Sequence, residues 1–387
     1  MGIFGTREQK ASRVGRLMTI EPLGRAAWTP RDYASLAREG FAKNAIVYRS
    51  VRMIAEAAAS APWLLYDGEQ EIERHPLLDL LRRPNPAQSG AALMEVLYGH
   101  LLVAGNAYLE VVALDGAPRE LFSLRPDRMK VVPGPDGWPQ AFEYSAGART
   151  VRFAQEGTPP PILHLSLFHP LDDHYGFAPI EAAQTSLDIH NAAGAWSKAL
   201  LDNAARPSGA LVYTGEGHLS DEQFERLKAE LEDGYTGARN AGRPLLLEGG
   251  LDWKTMAMSP RDMDFIEAKN QAAREIALAF GVPPMLLGIP GDSTYSNYRE
   301  ANRAFWRQTV LPLVNRTVQA MGNWLGAAWG PTLRLGFDAD QIEALSVERE
   351  ALWDRVAKAD FLTRDEKRIA VGYGIDNPEG GGAAADE

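Results

Sequence analysis

The chain has 387 residues, 45% hydrophobic and 24% charged, enough for more than one compact region and balanced like an ordinary globular protein. It contains no cysteine, which excludes disulfides, thiolate metal sites and a cysteine nucleophile. The formal net charge of −11 argues against a protein that grips nucleic acid through a generally basic surface.

Charge is spread unevenly. Residues 1–52 carry ten Lys/Arg against four Asp/Glu, net +6, and the rest of the chain is net −17. A basic arm on an acidic body points to contact with phosphate or an acidic partner, or else to a solvated terminus. The first element is a helix over Asn44 to Ser60, where Val47, Val51, Ile54 and Ala58 recur at helical spacing. Trp63 to Tyr66 reads as a strand turning at Asp67-Gly68. A second helix covers Gly90 to Ala104, with Gly105 as its C-cap. Strands follow, Tyr108 to Leu114 and Glu120 to Leu124 around Asp115-Gly116, then Met129 to Val132 and Ala141 to Tyr144 around Pro135-Asp136-Gly137.

From Ala182 the pattern turns helical, to about Ala205. Ser208 to Tyr213 is a short strand, and Ser220 with Gln223 forms a capping box that opens another helix. Strands at Leu245 to Leu247 and Leu251 to Met256 flank Gly249-Gly250. Ser259-Pro260 then starts a helix that runs to Phe280 and stops at Gly281. On it Ile266, Ala273, Ile276 and Phe280 are expected to pack, leaving Glu267, Lys269, Arg274 and Glu275 to a wet surface. A Gly/Pro/Ser-rich loop spans Pro283 to Ser296. A long helix follows from Asn297 to Leu325, with Pro312 expected to kink it. A strand at Leu333 to Phe337 and helices Ser346 to Ala359 and Thr363 to Val371 precede a low-complexity tail.

Motifs for chemistry are scarce. The chain lacks a G-x-x-x-x-G-K-[ST] loop, G-x-G-x-x-G, H-E-x-x-H and G-x-S-x-G, so nothing in it points to nucleotide hydrolysis. His164, His169, Asp172, Asp173 and His174 are the one polar cluster that could hold a divalent ion, although they straddle a proline-containing loop without i,i+4 spacing. A metal-dependent hydrolase using His164, His169 and His174 is therefore one alternative reading. No targeting or membrane-spanning segment is evident, since the longest uncharged run, Ile276 to Gly291, is short and holds three prolines.

Segment order carries more information than any motif: a small strand–helix–strand module sits between two helices that can pack antiparallel. That order, with Val47-Tyr48-Arg49-Ser50-Val51, Ile54-Ala55, Ala61-Pro62, His75-Pro76-Leu77, Gly105-Asn106-Ala107-Tyr108 and Gly176-Phe177-Ala178-Pro179-Ile180, resembles the portal (head–tail connector) proteins of long-tailed double-stranded DNA bacteriophages. Phe280-Gly281-Val282-Pro283-Pro284-Met285-Leu286-Leu287-Gly288, followed by Tyr295-Ser296-Asn297, is the most specific stretch. The likeness covers residues 40–340 and fits an infectious phage, a prophage or a gene transfer agent equally.

The resemblance implies an α+β portal fold with a strand-rich wing, antiparallel stem helices, a small α/β clip insertion, a tunnel loop and a short helical crown. It implies a flexible basic arm over 1–25, wing over 26–181 and 298–340, stem helices at 182–206 and 260–282, clip at 207–259, tunnel loop at 283–297, crown at 341–375 and a disordered tail at 376–387. It implies no catalysis and no cofactor. The expected assembly is a homo-oligomeric ring of about twelve subunits at one capsid vertex of a virion built in the bacterial cytoplasm. Its implied partners are the large terminase packaging ATPase, a head-completion or tail adaptor, the major capsid protein and double-stranded DNA, with no membrane. The tunnel loop would present Pro290, Gly291, Asp292, Ser293, Thr294 and Tyr295, and the stem would turn Glu267, Lys269, Arg274 and Glu275 to the channel. The clip, with seven acids against two bases over residues 216–233, would dock a basic partner through Asp221, Glu222, Glu225, Glu230 and Glu232. Another head–tail adaptor component is the remaining alternative.

Overall fold

In the computed structural model the described residues are 28–202, 209–213, 220, 222–223, 225–226, 229, 251–255, 265–290 and 295–373. Expectations for the N-terminal arm, for Asp221, Glu230 and Glu232, for Leu245 to Leu247, for Ser259-Pro260, for Gly291 to Thr294 and for the tail lie outside them.

Asp32 caps a short helix α1 (Tyr33–Leu36), which passes into a π turn at Ala37–Phe41. Asn44 then caps α2 (Ala45–Ala59), its Oδ1 accepting from the Ile46 and Val47 amides at 3.0 and 3.2 Å, and the helix buries Val47, Val51, Ile54, Ala55 and Ala58. Strand β1 (Trp63–Asp67) and the short β2 (Gln70–Glu71) come next. The His75-Pro76-Leu77 motif opens α3 (Pro76–Arg82), with His75 Nδ1 as the N-cap acceptor and proline at the first helical position. Helix α4 (Gly90–Ala104) buries Leu93, Met94, Leu97, Tyr98 and Leu101 and ends at Gly105 in the left-handed conformation.

Strands β3 (Asn106–Leu114), β4 (Ala117–Leu124) and β8 (Ile162–Ser166) form one antiparallel sheet in the order β4-β3-β8. A second sheet, β5 (Met129–Pro133), β6 (Pro139–Ala146) and β7 (Arg149–Ala154), packs on it through Tyr108, Leu124, Met129, Val131, Phe142 and Ile162. After a one-turn helix α5 (Pro179–Ala182), α6 (Gln184–Asp202) leads to β9 (Gly209–Tyr213), which pairs antiparallel with β10 (Leu251–Thr255). Helix α7 (Phe265–Ala279) follows, so α6 and α7 bracket the β9–β10 pair as the segment order predicts. Ser220 and Gln223 make the reciprocal bonds of the expected capping box, at 3.0 and 3.2 Å.

The long helix beyond residue 295 is three pieces, not one kinked helix: α8 (Tyr295–Phe305), a π turn (Trp306–Val310) and α9 (Leu311–Gly326). Proline has no N–H to donate, and its ring crowds the carbonyl four residues before it. The turn widens there, with the Leu311 amide bonding the Trp306 carbonyl, and Pro312 lands in the first turn of α9. Strand β11 (Leu333–Phe337) pairs with β1, closing a three-stranded sheet in the order β11-β1-β2. The principal core joins α2, α4, α7 and α9 through Val51, Ile54, Leu97, Leu101, Ile276, Phe280, Val314 and Met321.

Helices α10 (Ser346–Ala357) and α11 (Arg364–Ala370) contribute no buried residue. They are held by polar contacts: Arg349 to Asp340 and to the Val371 carbonyl, Arg307 to Glu348 at 3.2 Å, and Tyr66 to the Gly372 carbonyl at 3.2 Å. Among the described residues no helix is long and apolar enough to cross a membrane. The architecture is α+β without a closed barrel.

Candidate functional site: the α6–α7 pair and the turn after it

Helices α6 and α7 run antiparallel, since Ser186 reaches Glu275 while His190, further along α6, feels Lys269, earlier on α7. The Ser186 hydroxyl donates to Glu275 Oε2 at 2.5 Å and Gln271 Nε2 donates to Oε1 at 3.2 Å, and these two bonds hold the Glu275 carboxyl below the ordinary glutamate range. Burial, then the positive charge of Lys269, pushes the His190 imidazole down.

On α7 the buried side consists of Ala272, Ala273, Ile276, Ala277 and Phe280. Ile266, expected on this side, is instead 79% exposed: it lies at the start of the helix, beyond the reach of the core. Nor do the four charged residues share one face. Glu267 and Glu275 fall on an exposed stripe with Gln271 at i, i+4 and i+8, whereas Lys269 is half-buried on the His190 side. Arg274 turns toward the loop and donates through its guanidinium to the Pro290 carbonyl.

The end of α7 is a Schellman motif. The Gly281 amide bonds the Leu278 carbonyl and the Val282 amide bonds the Ala277 carbonyl, both at 2.9 Å, with Gly281 at φ +67°. Thr309 donates to the Gly281 carbonyl at 2.6 Å, tying this corner to the π turn. The expected loop from Pro283 begins as a folded 3₁₀ turn, Pro284–Leu287, closed by Gly288 at φ +72°, with Leu286 and Ile289 buried. Tyr295, expected in the loop, instead opens α8. Among the described residues Pro290 is the one exposed member of the six expected loop residues whose surroundings are on view, and Glu222 and Glu225 are exposed beside Ser220.

The histidine cluster disperses. His164 lies on β8, not on the loop, stacked on Tyr108 with ring centroids 4.4 Å apart and bonded through Nε2 to Asn106 Oδ1 at 2.9 Å. Burial pushes its pKa down to about 4. His169 Nδ1 accepts from the Leu171 amide at 3.0 Å, and Asp172 Oδ1 accepts from the His174 and Tyr175 amides. Among the described residues no group of three His, Cys, Asp or Glu side chains can hold a metal ion.

A latch that the sequence reading left without a role lies at Asn106. Its Oδ1 accepts from the Gly176 amide at 2.8 Å and its Nδ2 donates to the Ala104 carbonyl at 2.8 Å. The Gly105-Asn106 and Gly176-Phe177 motifs therefore meet in space, which is the signal that two separated Gly-containing motifs carry.

A family model described as "Phage portal protein" matches residues 45–372. A chain from the neck of an empty gene transfer agent particle, computed with C6 symmetry, is 57% identical, with 91% of this chain and 96% of that chain covered and a TM-score of 0.72. A Rickettsia bellii protein is 43% identical over 86% of this chain and 88% of its own. The "Probable portal protein" of Streptomyces phage phiC31 is 29% identical over 84% of this chain and 73% of its own.

Proposed function

Because the chain belongs to the phage portal protein family, we propose that it acts as one subunit of a closed ring at a capsid vertex, with double-stranded DNA moving through the centre during filling and release. The observation that carries this reading is the exposed α7 stripe Glu267–Gln271–Glu275 beside the tight Pro284–Leu287 turn. An acidic rail repels the phosphate backbone, so a duplex slides along it, whereas each phosphate neutralised by a Lys or Arg would add affinity that movement must break. The net charge of −11 suits the same task.

The likeness to a chain from a gene transfer agent neck favours a particle of that kind or a related virion as its setting. Ring formation then needs two different faces of each subunit to match head to tail. The exposed acids Glu222 and Glu225 of the β9–β10 insertion fit a basic surface on a packaging ATPase or an adaptor. The histidines do not assemble into a metal site among the described residues, and His164 and His169 already use a ring nitrogen within the fold.

Negative-stain imaging of the purified chain tests the reading. A discrete ring with a central hole is the expected outcome, and a monomer under assembly conditions would overturn it.

A further inference from the structure

The loop Phe168–Tyr175 leaves β8 at one edge of the β4-β3-β8 sheet and presents two large apolar side chains to water, Phe168 at 77% and Leu171 at 91% exposure. It is a stiff presentation. His169 Nδ1 receives the Leu171 amide at 3.0 Å, the His169 ring lies edge-on to Phe177 at 5.5 Å, and Asp172 receives the His174 and Tyr175 amides at 2.8 and 2.9 Å. Tyr175 is pinned in turn by the Val131 amide at 3.0 Å. A loop held by this many bonds loses little conformational entropy on docking.

Across the same sheet, on the side where α1 and α4 meet Pro126–Arg128, the turn after β4, lies an apolar cleft of about 280 Å³ between the Ala37–Phe41 π turn, α2 and α4. Phe41, Val51, Ala55, Val96, Gly99 and Val103 line it, and at Gly99 the added space of a side chain would meet nothing within 4 Å. Its charged lining residues, Arg52 and Glu95, pair with each other at 3.6 Å, so the wall itself is close to neutral. The Phe168–Tyr175 loop carries Asp172 and Asp173 and no basic residue apart from its histidines.

We infer that Leu171, with Phe168 beside it, seats in the α2–α4 cleft of the next copy of this chain, making a head-to-tail contact of the ring. This rests on the ring reading above. Two observations converge on a second copy as the occupant: knob and cleft lie toward opposite edges of one sheet, and a cyclic assembly requires two unlike matching faces on each subunit.

The chain has no cysteine, so an engineered pair can be read without background. Full-length Leu171→Cys and Gly99→Cys variants, mixed and then oxidised, are expected to give a covalent dimer, and the double variant a ladder of covalent oligomers up to the ring. Either single variant alone should give neither. In parallel, Leu171→Asp should raise the protein concentration needed for half-assembly at least tenfold, while Trp138→Asp, at an exposed site in the β5–β6 turn, should leave it unchanged. Normal rings with no cross-link, or normal assembly of Leu171→Asp, would overturn the docking and leave the ring reading standing. Absence of rings in the unsubstituted chain would overturn the ring reading and the docking with it.

Discussion

Gly105 and Gly176 meet backbone to backbone: a Cβ built on Gly176 would lie 2.1 Å from the Gly105 carbonyl oxygen, and one on Gly105 would lie 2.4 Å from the Gly176 carbonyl oxygen. Only hydrogen fits on either side of that contact. It brings the end of α4 and the approach to α5 together, and Asn106 bonds across it.

Gly176→Ala should therefore destabilise the fold by about 3 kcal/mol through overpacking against backbone that has no rotamer to give. At Gly105, φ of +68° adds left-handed strain to the clash, so Gly105→Ala should cost at least as much. Urea unfolding followed by tryptophan fluorescence reads both, and a midpoint unchanged from the parent would contradict the close approach.

Acid should loosen the same region. His100 and His164 are both pushed down to about 4 by burial, from an ordinary 6.5. Each binds its proton more readily unfolded than folded, so the stability it contributes is complete above pH 6.5 and is lost as pH falls toward 4. The loss approaches about 3 kcal/mol per histidine. Unfolding free energy measured between pH 7 and pH 5 should fall with pH in the parent, and the slope should shrink in His100→Gln.

At the end of α7, Gly281→Ala should cost about 1–3 kcal/mol, because the new methyl would sit 2.7 Å from Thr309 Oγ1 at a left-handed φ. Thr309→Ala removes the obstacle along with its bond to the Gly281 carbonyl. The two substitutions should couple, the double variant being more stable than the sum of the single losses predicts. Strict additivity in a double-mutant cycle would show that the two residues do not share this corner.

Deleting residues 291–295 should spare assembly and impair packaging or retention of DNA, measured as nuclease-protected DNA per particle. Replacing Glu267 and Glu275 together by lysine should act differently, making DNA retention rise as salt is lowered. Full packaging in the deletion would remove the channel role from this loop.

What the sequence revealed tracks how local each cause is. The helix Gly90–Ala104, the Asp115-Gly116 hairpin and the Ser220–Gln223 capping box are dictated by neighbouring residues, and each is present where it was read. Strand β7 was missed because only Val151 and Phe153 of Arg149 to Ala154 are even half-buried on this sheet edge, too short an apolar signal without its pairing to β6. The π turn before Pro312 was read as a kink, since proline signals trouble without saying how the helix resolves it. On α7, periodicity found the apolar side but put Ile266 there, because the pattern does not show where the supporting body ends. Portal membership was legible from Gly-Asn-Ala-Tyr and Phe-Gly-Val-Pro-Pro, both of which sit at forced backbone contacts.

Along α6, four polar clamps hold one side of the helix to the segment before α2. Thr29 bonds Asp188, Arg31 bonds Gln184 at 2.8 Å, Asn44 bonds Asn191 at 2.9 Å, and Asn191 in turn bonds the Glu39 carbonyl at 2.8 Å. A tug along the helix axis loads these bonds side by side, so they resist in shear and fail together. A sideways peel would break them one at a time. The helix is thus a strut that carries axial thrust into the α2 core.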